Sequence, residues 1–201
     1  MSNMTPGESN DTNAVEVDGI RFELLMPERV IIPVKKSQPE GYTSVPFSFR
    51  ITNNTSIFYR FMLSSSFFPE LIAPSGQNLM IGYQSDQVSW ATASDFFLIR
   101  PGKYLTYSQQ GRIFWTRKYH NRNKQCQDLQ ILIPFSSSEE WGCFLIEMGN
   151  YSIRFKYEVN HFQAKIYEKS KPPNSLEEAW IGKIFTSWVS FCLANPPKYE
   201  G

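Results

Sequence analysis

Two histidines, His120 and His161, and three cysteines, Cys126, Cys143 and Cys192, are the side chains best suited to metal ligation or nucleophilic chemistry near neutral pH. Their spacing argues against both. Tetrahedral zinc sites draw their ligands in close pairs such as C-x-x-C, and no such pair occurs. Cys126 lies six residues after His120 in the polar stretch RKYHNRNKQCQ (117–127), so a thiol–imidazole pair would need that loop to fold back on itself. Cys143 and Cys192 fall inside apolar runs, where cysteine is ordinarily a small buried hydrophobe. Paired carboxylates are the other route to catalysis, and glycoside hydrolysis needs two of them about 5 to 10 Å apart. Glu23, Glu147 and Glu158 are the strand-borne acids, each alternating with apolar neighbours as on a solvated sheet face. No G-x-S-x-G, H-E-x-x-H, G-x-G-x-x-G or phosphate-loop sequence is present. The expectation is a non-enzyme with no catalytic residue, no metal and no cofactor.

Charge narrows the partners. Across 201 residues the formal net charge is +1, too little for a global field that attracts nucleic acid or an acidic membrane. The one local basic cluster, Arg112, Arg117, Lys118, Arg122 and Lys124, reads as the solvated tip of a long hairpin. A phosphate contact there is the weaker reading, because no nucleic-acid-reading element or Gly-rich loop adjoins it. No stretch approaches bilayer length, so membrane insertion is not expected. An odd cysteine count and the absence of a signal-like apolar segment in MSNMTPGESNDTNAVEVDG lead us to expect reduced thiols in a cytoplasm.

The elements that must position any site are strands. Aromatic residues make up 15% of the chain, and they fill half-buried strands well. Residues 1–16 are polar and read as a disordered leader, 17–195 as one β domain with order starting near Gly19, and 196–201 as a tail. Alternation marks strands at Ile20–Leu24, Val45–Ile51 and Ile57–Leu63, with an asparagine turn at Asn53-Asn54-Thr55. Pro27 and Pro33 flank a piece at 29–32 that suits a sheet edge. Phe67, Phe68, Leu71 and Ile72 fall in a proline-flanked stretch read as a loop capping one end of the fold. Gln109-Gln110-Gly111 reads as a turn, and 162–167 as a further strand. Ser175 and Glu178 suggest a capped helical turn over 175–180, followed by one long strand over 183–193. The clearest signal is 141–159: a strand, a tight Gly149-Asn150 connection, and a second strand. That second strand turns Tyr151, Ile153, Phe155 and Tyr157 to one side and Ser152, Arg154, Lys156 and Glu158 to the other.

Leu145, Gly149 and Tyr151, followed by Ile153 and Phe155, resemble the tyrosine corner of immunoglobulin-like sandwiches. Trp180, Gly182, Ser187, Val189 and Phe191 resemble the closing strand of bacterial immunoglobulin-like modules, as does the order VPFSFRITNNT, IFYRFML and a Pro-Gly turn. The resemblance implies an all-β, immunoglobulin-like sandwich of about eight to ten antiparallel strands. The cysteine pair and central tryptophan of antibody domains are missing and extra β segments are present, so a jelly roll is the alternative topology. Gly149 and Tyr151 would then be structural residues.

Function follows only as an expectation, since such folds host unrelated activities. The leading one is a non-catalytic protein–protein interaction or structural module of a bacterial cytoplasm, docking another protein or its own copy by an edge strand or aromatic patch. Phe67, Phe68, Leu71, Trp90, Trp115, Trp180 and Trp188 are its candidate contact residues. The alternative is a carbohydrate or small-ligand module in which Trp90, Trp115 and Trp141 form a stacking platform.

Overall fold

The computed structural model describes residues 13–31, 41–63, 65–85, 92–120, 124–135, 139–145 and 147–195; the first twelve positions of the expected leader, Pro33, Trp90, Arg122 and the 196–201 tail lie outside them. The first strands are β1 (Ala14–Val17), β2 (Ile20–Leu25), β3 (Arg29–Ile31), β4 (Tyr42–Asn53) and β5 (Phe58–Met62). Next come β6 (Phe67–Ile72), β7 (Gly82–Ser85), β8 (Phe96–Ile99), β9 (Lys103–His120) and β10 (Lys124–Pro134). Then follow β11 (Glu139–Leu145), β12 (Gly149–Val159) and the helix α1 (His161–Ser170). The last are β13 (Glu177–Ala179), β14 (Gly182–Phe185) and β15 (Val189–Ala194). The result is an all-β domain of several sheets with one α-helix among the described residues.

Seven strands form the largest sheet in the order β1-β2-β4-β9-β10-β11-β7, every pair antiparallel. A five-stranded sheet runs β14-β12-β15-β3 with β6 on the other side of β12, and a three-stranded one runs β13-β5-β8. The fifteen strands among the described residues thus exceed the eight to ten expected, and two of their pairings, β15 with β3 and β13 with β5, are parallel. The inner faces meet through aromatic rings. Phe49 of β4 lies 4.3 Å from Phe67 and 4.6 Å from Phe155, and Phe22 of β2 lies 5.2 Å from Tyr157.

Alternation along β12 is as expected, with Tyr151, Ile153, Phe155 and Tyr157 buried and the intervening residues half-buried. The 141–159 stretch is not a hairpin, however. β11 belongs to the seven-stranded sheet and β12 to the five-stranded one, so the chain crosses between sheets. Gly149 and Asn150 already pair with Leu193 and Cys192 inside the new sheet. The Tyr151 hydroxyl donates to the Glu147 carbonyl at 2.7 Å and accepts from the Glu147 N–H at 3.2 Å, which pins the crossover where it enters β12. Gly149 has φ +132°, a value strained for any side chain, and an added Cβ would lie 3.1 Å from the Pro74 ring.

Other expectations give way to packing. Strand pairing begins at Ala14, within the expected leader, because Asp18 (φ 51°) and Gly19 (φ 76°) form a two-residue hairpin turn that returns β1 along β2. Residues 67–72 are strand β6, paired with β12 from Phe67↔Tyr157 to Ile72↔Ser152, and not a capping loop. Gly111 is no turn: β9 runs through it, and its missing Cβ makes room for the Phe47 ring. Residues 162–167 are helix, because Asn160 and Gln163 form a reciprocal capping box, with Asn160 Oδ1 accepting from the Gln163 N–H at 3.0 Å and the Gln163 side chain from the Asn160 N–H at 2.9 Å. Ser175 caps nothing helical; Glu177–Ala179 is a strand beside β5. The edge placement of 29–31 holds, since β3 ends its sheet.

The expected strand 183–193 is broken. Lys156 pairs with Phe185 and Ile153 with Val189, leaving 186–188 opposite only 154–155, one residue too many. This is a β-bulge. Thr186 fills it, donating its N–H to the Phe155 carbonyl at 2.9 Å and accepting the Phe155 N–H on Oγ1 at 3.0 Å.

Two measurements check this account. Tyr151→Phe should lower unfolding stability by about 1 kcal/mol in denaturant melts, the worth of one buried hydrogen bond; an unchanged midpoint would remove the corner from the account of the fold. The second concerns Glu177, which binds Arg60 at 2.5 Å and accepts the Tyr167 hydroxyl at 2.8 Å, tying β13 to β5 and to α1. The Arg60 hydrogen bond, then the Tyr167 hydroxyl, hold its carboxyl below the usual carboxylate range. A depressed folded pKa contributes stability above the unfolded value, about 4.3, that is lost as pH falls through the folded one. Glu177→Gln should therefore be less stable than wild type at pH 7, and the gap should narrow towards pH 3.

Candidate functional site

The residues expected to make contacts divide into core and surface. Phe67 is 1% exposed and stacks within the ring cluster between the sheets. Trp180, 7% exposed, lies 5.9 Å from Phe61 and 5.4 Å from Tyr157, and Gly182 leaves room for its ring. Both belong to the core, which corrects their assignment as contact residues. Trp115 is half-buried against the same core, and Trp90 lies outside the described residues. Leu71, 3% exposed, is core as well, which corrects its assignment too, and only borders a cavity; Phe68 and Trp188 remain, and the structure places them at two cavities along β6.

The first is a groove of about 550 Å³ lined by Leu71, Glu70, Asn78, Arg154 and Trp188. The bulge creates it. Unbroken alternation from buried Ile184 would turn residue 188 inward; the extra residue shifts the phase, so Val189, Phe191 and Leu193 point in and Trp188 points out. Arg154 lies between rings, its guanidinium carbon 4.5 Å from the centre of Trp188 and 4.6 Å from that of Phe185. Its Nε meets Glu70 Oε2 at 2.7 Å. Next along the same face, Lys156 pairs with Glu158 at 2.7 Å and sits 4.2 Å from the centre of the Phe68 ring. The outer face of this sheet is therefore a ladder of cations and rings, with acids at its rungs.

The second cavity, about 230 Å³, is lined by Ser65, Phe68, Tyr83, Phe135, Glu139 and Trp141. Glu139, the first residue of β11, is only 6% exposed. Its Oε2 accepts the Ser65 hydroxyl at 2.5 Å and its Oε1 the Tyr83 hydroxyl at 2.8 Å. Trp141 lies 4.8 Å from Tyr83 and 5.6 Å from Phe68, at interplanar angles of 50° and 60°. Its Nε1 donates to the Phe67 carbonyl at 3.1 Å, fixing the indole against the edge of β6. Sequence reasoning placed Trp141 in a sugar platform and missed Glu139. The acid opens a strand after a polar loop and has no periodic signature.

The other chemistry-bearing residues are dispersed. Glu147 precedes β12 and Glu158 lies nine positions beyond the first residue of that strand, about 30 Å along it, far beyond a hydrolytic pair. Glu23 is 4% exposed, not solvated as expected, and holds Arg21 at 3.2 Å and Arg50 at 3.9 Å. Burial pushes the Cys143 thiol up to about 11, which keeps it protonated and unreactive near neutrality. Among the described residues no three histidine, cysteine or carboxylate side chains gather as a metal site. In the basic stretch, Arg112 binds Glu140 at 3.2 Å, and the backbone of Arg117, Lys118 and Lys124 lies in the β9–β10 ribbon. No described helix is long and apolar enough to cross a membrane.

The division into core and surface is testable by truncation. Phe67→Ala should cost about 3–5 kcal/mol in equilibrium unfolding, whereas Trp188→Ala should cost less than about 1 kcal/mol. Equal losses would mean that Trp188 serves packing.

Comparison with family models, curated proteins and solved structures yields no match to this chain.

Proposed function

We propose that the protein is a non-catalytic protein–protein interaction module, and that its contact surface is the outer face of the five-stranded sheet. The observation that carries this is Arg154, held between Trp188 and Phe185 and ion-paired with Glu70 on the solvent side of β12. Arginine and tryptophan are the side chains that most often dominate interface energy, and a pre-ordered guanidinium loses little entropy on contact.

The occupant this face argues for is a second copy. It carries both signs in close alternation, Arg154 with Glu70 and Lys156 with Glu158, so a two-fold rotation can set cations of one copy over acids of the other. An edge-strand mode is less supported at β6. Trp141 Nε1 occupies the Phe67 carbonyl, the Leu79 N–H occupies that of Leu71, and Pro69 between them has no N–H to offer.

The carbohydrate alternative wants exposed, coplanar ring faces close together. On the five-stranded sheet Arg154 already covers one face of Trp188. On the seven-stranded sheet the exposed Tyr42 and Tyr104 sit at opposite ends of the β4–β9 ladder, ten register positions or about 33 Å apart. Neither arrangement favours a sugar platform.

The finer fold assignment, an immunoglobulin-like sandwich, belongs to the same reading and is supported by the Tyr151–Glu147 corner and the ring layer between two sheets. The free thiols of Cys143 and Cys192 fit a reducing compartment such as a bacterial cytoplasm.

Light scattering tests the assembly. Wild type should show twice the 23.3 kDa chain mass. Arg154→Glu and Trp188→Ala should be monomers with unchanged far-ultraviolet dichroism. A wild type that stays monomeric to about 100 micromolar, weaker than any functional dimer of standard size, overturns the proposal, as does glycan binding by that monomer.

A further inference from the structure

Met80 is 93% exposed, the most exposed large apolar side chain among the described residues. A lone apolar residue in water carries no information, because such residues are common on soluble surfaces. Met80 is not alone. It stands at the rim of the groove of about 550 Å³, whose lining includes the residues on either side of it, Leu79 and Ile81, together with Trp188. We propose that Met80 is the anchor of the dimer: it enters the Trp188 groove of the second copy, while the second copy's methionine enters the groove of the first. This rests on the dimer reading above and adds to it the side chain that each copy supplies to the other.

The chain fixes where the methionine points. Asn78 bridges to Ile72 and the Leu79 N–H donates to the Leu71 carbonyl at 2.9 Å, so the segment before Met80 is tied to β6. From Gly82 the chain belongs to β7, paired with β11. Leu79 and Ile81 are half-buried and pack against the core. Side chains alternate along an extended segment, so with 79 and 81 turned in, residue 80 turns out. Pairing on both sides holds the backbone of this projection, which therefore loses little freedom on docking.

The groove suits an uncharged, pliable side chain. Its charged lining residues, Glu70 and Arg154, already meet at 2.7 Å, so an incoming charge would have to compete with a formed ion pair. Trp188 is 37% exposed with Arg154 over one face of its ring, which leaves ring surface for contact. A thioether is unbranched and polarizable, adapts to irregular spaces and makes favourable contacts at ring edges. A β-branched side chain would have to fit in one stiff rotamer.

Symmetry completes the argument. In a two-fold dimer, residue i of one copy contacts residue j of the other, and j contacts i. Methionine and groove are neighbours on one copy, so an axis passing between them forms both contacts at once. The pair closes at two copies and leaves no anchor free to add a third. Arg154 lines the groove and begins the ladder of cations and rings, so the two parts of the interface are continuous.

Oxidation by dilute hydrogen peroxide, read residue by residue through peptide mass spectrometry, tests the contact on the full chain. Peroxide passes one oxygen to the thioether, giving the sulfoxide and water, and reaches an exposed sulfur faster than a covered one. At a concentration where light scattering shows the dimer, Met80 should oxidise more slowly by about fivefold or more than in wild type diluted to the monomer or in Arg154→Glu. Met80→Lys should weaken the dimer by about tenfold or more, and Met80→Leu by no more than about threefold, since leucine keeps an apolar side chain of similar volume. Neither should change the stability of the monomer, where residue 80 meets only solvent. Equal oxidation of Met80 in dimer and monomer overturns the proposal, as does a Met80→Lys dimer of wild-type affinity. Either result leaves the dimer itself standing, whereas a monomeric wild type removes both, so the two failures are distinguishable.

Discussion

The contact between Phe49 and Phe155 is the one on which the remaining structure depends. One ring comes from the seven-stranded sheet and the other from the five-stranded sheet, and they meet edge to face at 4.6 Å. Around them Phe67, Phe135, Tyr107 and Tyr157 extend the layer, so each sheet buries its inner face against rings of the other. Aromatic side chains remove about 150–250 Å² each from water, at roughly 25 cal/mol per Å². Rings this large also fix the spacing of the sheets, because packing near crystal density leaves no slack for a shift. The layer tolerates one defect. Tyr157 is fully buried, and its hydroxyl has no partner of good geometry among the described residues; burial drives its pKa far up, against the opposing effect of the nearby Met62 backbone. Its ring contacts with Phe22, Phe67 and Trp180 offset that cost.

A layer of rings does not direct the chain from one sheet to another. Polar side chains do, at the points of crossing. Asn53 ends β4 fully buried, its amide donating to the Ile57 and Ile99 carbonyls at 2.7 and 2.9 Å while Oδ1 accepts the Thr55 N–H and hydroxyl. Both donors and both acceptor positions of the Asn53 amide are thus engaged as the chain passes to β5 in another sheet. Tyr151 does the same between β11 and β12, while Thr186 fixes the bulge between β14 and β15 within one sheet. Buried polar groups are tolerable only when satisfied, so each of these residues specifies one path and penalises the others.

These same places show where sequence reasoning succeeds and fails. Period-two alternation made β2, β4, β5 and β12 readable, since a half-buried strand must alternate. The Asn53 turn and the Tyr151 corner were readable too, because each uses a local chemistry with a fixed spacing. Non-local pairing was not. Phe67–Ile72 looked like a loop because Pro69 sits inside it, and only its position at a covered edge of β12 makes it a strand. Gln109-Gln110-Gly111 carried turn residues whose actual role is clearance for Phe47, visible only once β4 lies beside β9. Trp180 and Trp188 share a helical spacing, yet one is core and the other surface, because a bulge between them has no sequence marker. The Glu139 cavity was invisible for a similar reason: Ser65, Tyr83 and Glu139 meet only through the pairing of β7 with β11 and the crossing of β6 beside them.

The bulge and the Trp141 indole together decide what the molecule can offer a partner. Without the extra residue at 186–188, alternation would direct residue 188 inward and leave Arg154 with Phe185 alone on that face. Trp141, in turn, takes the Phe67 carbonyl that an incoming strand would need, and with Pro69 it closes the β6 edge to strand addition. The same indole then forms a wall of the Glu139 cavity. One residue thus blocks an edge that would otherwise be prone to unspecific pairing and, by occupying it, shapes a pocket. What this side of the molecule exposes is therefore side chains and not free main chain: a cation–ring ladder on the sheet face and a carboxylate in an aromatic recess. Side-chain recognition is selective in a way that edge pairing is not, because main-chain hydrogen bonds accept any extended sequence whereas a ring-walled recess discriminates by charge and shape.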